Sequence, residues 1–535
     1  MTGALTLPQW GTEIIEEPAG ESSFRMYAER PRHLESLLDL AARWGDRPHI
    51  VQGDRVITFA DLHRNAKRAA VHLRSRGAAP GDRVFLLGWN SPEWIVNYWA
   101  ITLVGAVPVL ANAWWSAAEL DYALTSLDPA LVVVHPRITS PSLDRFPHAD
   151  WAGGFSEGET PAVADGSSDR EPAEGDPCVV IFTSGTEGQP KAVELSHRSL
   201  LSGLQMLLHI TKRLPHQVSD EDGEPALHTG PMFHIGGVQT LLRSVVVGDT
   251  LVMPAGRFDA GEALRLIEEW RVRRWSAVPT MVTRLLEHPD VQVRDVTSLR
   301  AVTVGGAPVT AEFLERLRGG LPGVNPRVAT GYGLTENGGQ AVAASGNDTV
   351  LRPGTTGRAL PCVEISIRKR GAGEDGEILV RSPTQMTRYI ASASTSPIDA
   401  AGWLHTGDLG TIDLEGYLWI TGRSKDMIIR GGENIAPAAV EEALVAQDGV
   451  KEAVVFGVPD AEFGEEVAAV IVAPAGIDTA QLQSDLRGVI ASFSIPTRWE
   501  IRSEPLETNH AGKVDKPLIV RTVRERLEQE KSVTR

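Results

Sequence analysis

The sequence predicts an α/β protein: a large N-terminal part of largely parallel sheets with helices, followed by a small α+β part. Three observations carry this. Apolar runs of strand length alternate with helical stretches from about residue 34 to residue 110, the pattern of parallel sheets with crossover helices. The texture changes after Asp426, where the units become shorter. And 535 residues exceed one domain at ~100–200 residues each.

Taken in order, Leu34, Leu37, Leu38 and Leu40 fall near helical spacing. Pro48 to Thr58 holds two short apolar runs around Gly53-Asp54, a hairpin signal. Phe59 to Arg76 is amphipathic, and Gly77 follows as a stop. Arg83 to Leu87 reads as a buried strand, Trp94 to Leu103 as a helix and Pro108 to Leu110 as the next strand. Residues 152 to 177 are acidic and rich in Gly, Ser and Pro, which predicts a solvated linker or surface loop. Asp220 to Glu224 reads as a second acidic surface loop. Helices are expected at Ala438–Ala446 and Ala480–Ile490, with strands at Ala453–Gly457 and Ala468–Val472, in a small domain of about 110 residues. No internal repeat is visible.

Composition narrows the function. The apolar share is 42% and the charged share 23%, which excludes disordered, coiled-coil and collagen chains. A net charge of −17 argues against a general nucleic-acid or anionic-membrane binder, though a small anion in a local basic site remains compatible. Cys178 and Cys362 are the two cysteines, which rules out a disulfide scaffold and argues against a Cys-based zinc site. Met1 to Gly20 carries Glu13, Glu16 and Glu17 and has no basic segment ahead of an apolar core, so no signal peptide is expected. Stretches such as Val104 to Trp115 fall short of the ~18 apolar residues of a membrane span. A soluble cytoplasmic protein is the expectation.

The strongest motif runs from Val179 to Ala192. An apolar strand leads into Thr183-Ser184-Gly185-Thr186-Glu187-Gly188-Gln189-Pro190-Lys191. Glycines let backbone N–H groups turn toward an anion, hydroxyls donate further bonds and Lys191 adds a point charge. It is not a Walker A loop, because Lys191 follows no Gly and precedes no Ser or Thr. Further on come Pro231-Met232-Phe233-His234, then Gly305-Gly306-Ala307-Pro308 after a strand, then Thr330-Gly331-Tyr332-Gly333-Leu334-Thr335-Glu336. Tyr332 offers a ring face, and the glycines beside it let backbone approach a ligand. Glu336 is a hard oxygen ligand suited to Mg²⁺. Gly402 to Asp408 ends in Thr406-Gly407-Asp408, and a carboxylate there can accept from two hydroxyls. Gly422-Arg423-Ser424-Lys425-Asp426, Gly431-Gly432-Glu433-Asn434 and Asn509-His510-Ala511-Gly512-Lys513 complete the set.

In this order and spacing the motifs resemble the adenylate-forming superfamily over residues 34 to 520, and look most like stand-alone fatty-acyl and aryl-CoA ligases. The resemblance implies a large N-terminal adenylation domain, residues 1–424, of parallel-rich sheets plus a small β-barrel-like part. A mobile cap follows at residues 425–535. Thr183, Ser184, Gly185, Thr186, Gly188 and Lys191 inherit the ATP-phosphate role. Glu187 and Ala192 depart from the family pattern, and Glu187 is expected to face solvent, away from phosphate. The resemblance places His234 at the carboxylate end of the acyl pocket. Gly305, Gly306, Ala307 and Pro308 border adenine and acyl group, and Gly331, Tyr332 and Gly333 contact adenine. Thr335 contacts phosphate, Glu336 holds Mg²⁺, Asp408 takes the ribose hydroxyls, and Arg423 takes ribose or phosphate. Lys425 is the hinge, Gly432 lines the pantetheine channel and Lys513 is the catalytic lysine. Glu507 and Thr508 stand where the family commonly has Pro-Arg.

The implied reaction has two halves: a carboxylate and ATP give an acyl-adenylate and pyrophosphate, then a thiol such as that of CoA takes the acyl group. ATP, Mg²⁺, CoA and a small carboxylic acid are the expected ligands, and a homodimer stays open. The same adenylation with an amine, another nitrogen nucleophile or a carrier-protein thiol as acceptor is the alternative. A nucleotide sensor is disfavoured by the joint presence of Glu336, Asp408, Arg423 and Lys513.

Overall fold

The computed structural model describes residues 10–19, 22–155, 172–183, 189–307, 309–324, 327–369, 375–390, 396–431, 433–460 and 462–533. The helices begin where the sequence supplies caps. Thr58 and Asp61 form a reciprocal capping box at the head of Phe59–Ser75, and Ser116 with Glu119 does the same for Ala117–Leu127. Ser91 accepts from Trp94 N–H and Pro92 occupies the first turn of Pro92–Val104, which ends at Gly105 with φ +79°. That helix buries residues around its whole circumference, including Trp94, Tyr98 and Trp99, so it lies inside the molecule.

Two large sheets form the body. One orders Arg388–Ile390, Lys191–Ser196, Pro177–Thr183, Val107–Ala111, Arg83–Leu87, Leu131–Val134 and His148–Ala149. Its strands are parallel except at Lys191–Ser196, which runs antiparallel to both neighbours. In the other, Pro48–Gln52, Thr250–Met253, Pro225–His228, Arg274–Ala277, Ala301–Val304 and Val328–Leu334 lie parallel in that order. Antiparallel strands then extend it through Gly339–Ala344, Gly357–Ala359, Tyr417–Arg423, Leu404–Ile412, Gly376–Arg381 and Glu364–Lys369. The largest apolar cluster joins both sheets: Ile50, Leu251 and Met253 from one, Val84, Leu110 and Ile181 from the other, with helical residues such as Leu62, Trp99, Leu204 and Leu241 between.

A smaller sheet follows Arg423. It orders Glu433–Ile435, Ile428–Arg430, Gly464–Val472 and Glu452–Asp460, with Arg498–Arg502 also pairing Gly464–Val472. Pro437–Val445 and Thr479–Leu486 pack its own apolar cluster around Leu444, Val455, Ile471 and Leu486. The α/β body and the small α+β part are those the sequence predicts. The second of these helices stops at Leu486 rather than Ile490.

The acidic stretch at residues 152 to 177 is not wholly solvated. Residues 156–171 lie outside the described chain, but Glu174 receives Arg30 Nε at 2.7 Å and Nη2 at 2.9 Å, and also pairs with Arg32. These bonds hold its carboxyl below the usual range, against the opposing effect of burial. Part of the acidic excess is therefore spent on tying the N-terminal hairpin Ile14–Ala19/Ser22–Tyr27 to the body. Cys178 and Cys362 are both buried and free.

Candidate active site

Parallel strands end at the site, as ligand sites in open α/β sheets do. Ala301–Val304 runs into Gly305-Gly306-Ala307, and Val328–Leu334 runs into the turn Thr335–Asn337. Val107–Ala111 leads into Asn112 to Trp115. Pro177–Thr183 leads into the phosphate-loop motif, whose Ser184, Gly185, Thr186, Glu187 and Gly188 lie outside the described residues, as do Pro308 and Gly432.

The first cluster centres on Asp408, which is 4% exposed. Tyr332 donates its hydroxyl to Oδ2 at 2.8 Å, and Arg423 Nε donates to Oδ1 at 2.7 Å. Strand register explains the second contact, because Asp408 and Arg423 face one another across Leu404–Ile412 and Tyr417–Arg423. Thr406 Oγ1 accepts from the Asp408 N–H at 3.1 Å and fixes the turn from the other side. A carboxylate has about four acceptor positions, so the two bonds leave room for two hydroxyl donors.

Lys513 reaches this cluster from the C-terminal part. Its turn is internally braced: Asn509 Oδ1 accepts from Ala511 and Lys513 N–H, and Asn509 N–H donates to Lys513 O at 2.7 Å. Gly512 adopts φ +76°, and its carbonyl accepts from the Thr280 hydroxyl. The lysine tip lies against Gly306, where an added Cβ would come within 2.9 Å of Cε and Nζ. Burial and then the Arg423 charge lower the Lys513 pKa from its ordinary value. His234 heads the helix Ile235–Val247 without capping it, so its ring stays available. Burial first, and the Lys513 charge second, push its pKa down to about 4, so it is neutral at pH 7.

The second cluster lies at the phosphate-loop side. Tyr389 donates its hydroxyl to Glu336 Oε1 at 2.8 Å, and Lys191 Nζ lies 5.2 Å from the Tyr389 ring centroid. Lys191 stands opposite Thr183 in register, so both flank the loop's mouth. Glu336 and Thr335 are partly exposed. Among the described residues no group of three or more His, Cys, Asp or Glu side chains could hold a metal ion. Mg²⁺ does not require one, since it binds through one or two carboxylates with substrate phosphates, and Glu336 fits that use.

Some expected residues sit differently from their sequence reading. A Cβ at Gly331 would overlap the Gln340 side chain, and one at Gly333 would overlap the Gly339 carbonyl, so strand packing itself demands these glycines. Lys425 is exposed in the turn between Tyr417–Arg423 and Ile428–Arg430. Tyr389, Thr280 and Trp114 escaped sequence reasoning. Only Trp114 carried a signal, a Trp pair just past the end of a predicted strand.

The sequence profile of AMP-binding enzymes matches residues 38–390, and that of the AMP-binding enzyme C-terminal domain matches residues 439–513. A feruloyl-CoA synthase of Amycolatopsis sp is 33% identical over 490 residues, covering 87% of this chain and 94% of its own length. A fatty acid–[acyl-carrier-protein] ligase of Streptomyces coeruleorubidus is 32% identical, covering 87% of this chain and 92% of its own. Among solved structures, o-succinylbenzoate CoA synthetase from Bacillus subtilis, in complex with its acyl-adenylate intermediate, superposes with a TM-score of 0.78 at 28% identity over 90% of this chain and 97% of that one. The same enzyme in complex with ATP and magnesium superposes with a TM-score of 0.77 at 28% identity, over 90% of this chain and 98% of that one.

Proposed function

The chain belongs to the AMP-binding enzyme family, and from that premise we propose that it joins a carboxylic acid to ATP, releases pyrophosphate and passes the acyl group to the thiol of CoA. The observation that carries the reading is the position of Lys513, inserted against Gly306 beside the Tyr332–Asp408–Arg423 cluster. The relatives named as CoA ligases support the same chemistry.

In the first half the substrate carboxylate is already ionised at pH 7, so no general base is needed. The barrier lies in bringing one anion onto another. Lys513 would orient the carboxylate and offset charge at the α-phosphate, while neutral His234 adds no competing cation at the acyl end. Asp408 would hold the ribose through its two remaining acceptor positions, and Arg423 and Lys191 would face the phosphates. Glu336, steadied by Tyr389, would hold Mg²⁺. When bound, that ion would supply positive charge at the phosphate oxygens. In the second half the cap, residues 425–535, would turn about Lys425, carrying Lys513 away and bringing the Gly432 face to the acyl carbon. AMP is then the leaving group of thiol attack. Cytoplasmic residence is consistent with ATP and CoA as substrates.

A second reading keeps the adenylation and changes the acceptor, and the carrier-protein ligase among the relatives favours it. One experiment separates them: carboxylate-dependent pyrophosphate release across a panel of aryl, enoyl and medium-length acids, then mass spectrometry with CoA, a carrier protein, amines and nitrite as acceptors. A CoA thioester supports the first reading. AMP release without it, with an amide or carrier-bound product, supports the second. No acid-dependent pyrophosphate release from any acid overturns both.

A further inference from the structure

Two tryptophans follow the strand Val107–Ala111, and the chain turns them to opposite tasks. Asn112 Oδ1 accepts from Trp114 N–H at 2.9 Å and Asn112 O accepts from Trp115 N–H at 3.2 Å, a compact turn that fixes both side chains. Trp115 meets Phe182 edge-on at 4.6 Å and so anchors the turn on the core. Trp114 instead contacts residues of the candidate site and of the C-terminal part. Phe233 meets its ring at 5.6 Å, and Phe233 in turn lies 4.7 Å from His234. On Trp114 lies His510, stacked at 5.1 Å with an interplanar angle of 9°.

Among the described residues this is the one aromatic pair that joins residues after Lys425 to residues before it. His510 stands three positions before Lys513, inside the turn that Asn509 braces. On the other side of that turn the Thr280 hydroxyl holds Gly512 O. A rigid turn pinned at positions 510 and 512 has little freedom left at 513. The stack therefore sets where the lysine tip lands, and it exists only while the turn is docked.

We propose that Trp114 is a positioning residue for the adenylate-forming half-reaction, the plate on which the Lys513 turn docks through His510. This rests on the functional reading above. A contact made in one arrangement and absent from the other shifts the balance between them by its own strength. An aromatic pair of this kind is worth about 2- to 12-fold beyond area burial.

The test uses Trp114→Leu, Trp114→Phe, His510→Leu and the Trp114→Leu/His510→Leu double variant of the full chain. Adenylation is read as acid-dependent pyrophosphate exchange, and the second half as thioester formation from supplied acyl-adenylate. Trp114→Leu is expected to lower the exchange kcat by about 2- to 12-fold with little change in the KM for ATP. Trp114→Phe should recover much of it, and thioester formation should be unchanged or faster. The double variant should lose no more than the worse single, since both remove one contact. Losses that multiply in the double variant, or a matching loss in thioester formation, overturn the proposal. Amide exchange at residues 509–513 gives a readout independent of catalysis: faster in Trp114→Leu and His510→Leu if the turn docks on Trp114, unchanged if it does not. If the unaltered protein activates no acid, the functional reading falls and amide exchange still decides the docking.

Discussion

Tyr332 and Asp408 share a 2.8 Å hydrogen bond across 76 residues of sequence, with the phenol as donor and Asp408 Oδ2 as acceptor. Burial and the carboxylate raise the Tyr332 pKa well above its ordinary value, so it remains a donor throughout the working range. The bond aims the remaining lone pairs of Asp408. Replacing Tyr332 by Phe leaves Asp408 in place but less well aimed, and should raise the KM for ATP by about 2- to 10-fold. Asp408→Ala removes the acceptor itself and should cost about 10- to 150-fold, the range for bonds to a charged group. ATP titration in the pyrophosphate exchange assay checks both. A normal KM in Asp408→Ala would remove this carboxylate from the ribose site.

Lys513→Ala should lower adenylation by about 10²- to 10³-fold or more, the scale of losing a preorganised charge stabiliser. Thioester formation from supplied acyl-adenylate should survive, because on the proposed cap rotation the lysine would have left the site by then. The lowered pKa adds a pH signature. A lysine with a depressed pKa loses its charge at lower pH than an ordinary one, so the alkaline limb of adenylation should begin below ~10.4 and be absent from the thioester half. Equal loss in both halves would contradict the assignment.

Lys425→Pro tests the hinge. Lys425 sits in an exposed turn with its side chain in solvent, so substitution there disturbs no packing. Proline fixes φ near −65° and restricts the residue before it. A rotation that passes through these torsions should fail, while an arrangement already adopted should persist. Thioester formation should fall more than adenylation, measured by the same two assays. An unimpaired CoA step would move the hinge elsewhere.

The fold and the site differed in how far the sequence revealed them. Period-two and period-3.6 patterns are local, so the strand Arg83–Leu87 and the helix Phe59–Ser75 could be read directly. Motif residues such as Asp408, Arg423 and Lys513 could be read because their order along the chain is itself informative. Contacts between motifs could not. Tyr389 belongs to no motif and reaches Glu336 because its strand pairs with Lys191–Ser196. Nothing local to Trp114 or His510 announces that 396 positions of chain separate two stacked rings. The sequence suggests that Gly331 and Gly333 let backbone approach a ligand, and the packing gives them a second reason, since the adjacent strand already leaves no room for a Cβ.

Tyr389 also predicts how Mg²⁺ dependence responds to substitution. Its hydroxyl ties one Glu336 oxygen, and burial with the Glu336 charge raises its pKa, so it stays a donor. Tyr389→Phe should leave the carboxylate in place but less oriented, raising the Mg²⁺ concentration for half-maximal exchange by about 2- to 10-fold. Glu336→Gln removes the charge and should raise it further, with a lower maximal rate. A Mg²⁺ titration at saturating ATP checks both. A Glu336→Gln curve that overlays the unaltered one would remove the carboxylate from the metal site.

Acid should weaken the fold through its buried histidines. His49 is 0% exposed and His228 4% exposed. Burial pushes their pKa values down to about 3 and about 4, with Asp249 opposing the shift at His49. Both fold as neutral rings, whereas the unfolded chain protonates them near the usual ~6.5. Between those limits the unfolded state binds more protons, so stability falls as pH drops, by about 1.4 kcal/mol per pH unit for each group. At pH 5.5 these two should have removed about 3 kcal/mol relative to pH 7.5, and His197 and His234, which burial also pushes down to about 4, add to the loss. Urea unfolding at the two pH values should show the difference, and His49→Gln, which cannot titrate, should shrink it by about 1.4 kcal/mol. His234, also held near 4, stays neutral over the same span and so contributes to the same loss. Equal unfolding midpoints at both pH values would mean that the buried histidines are paired with protons in the native state.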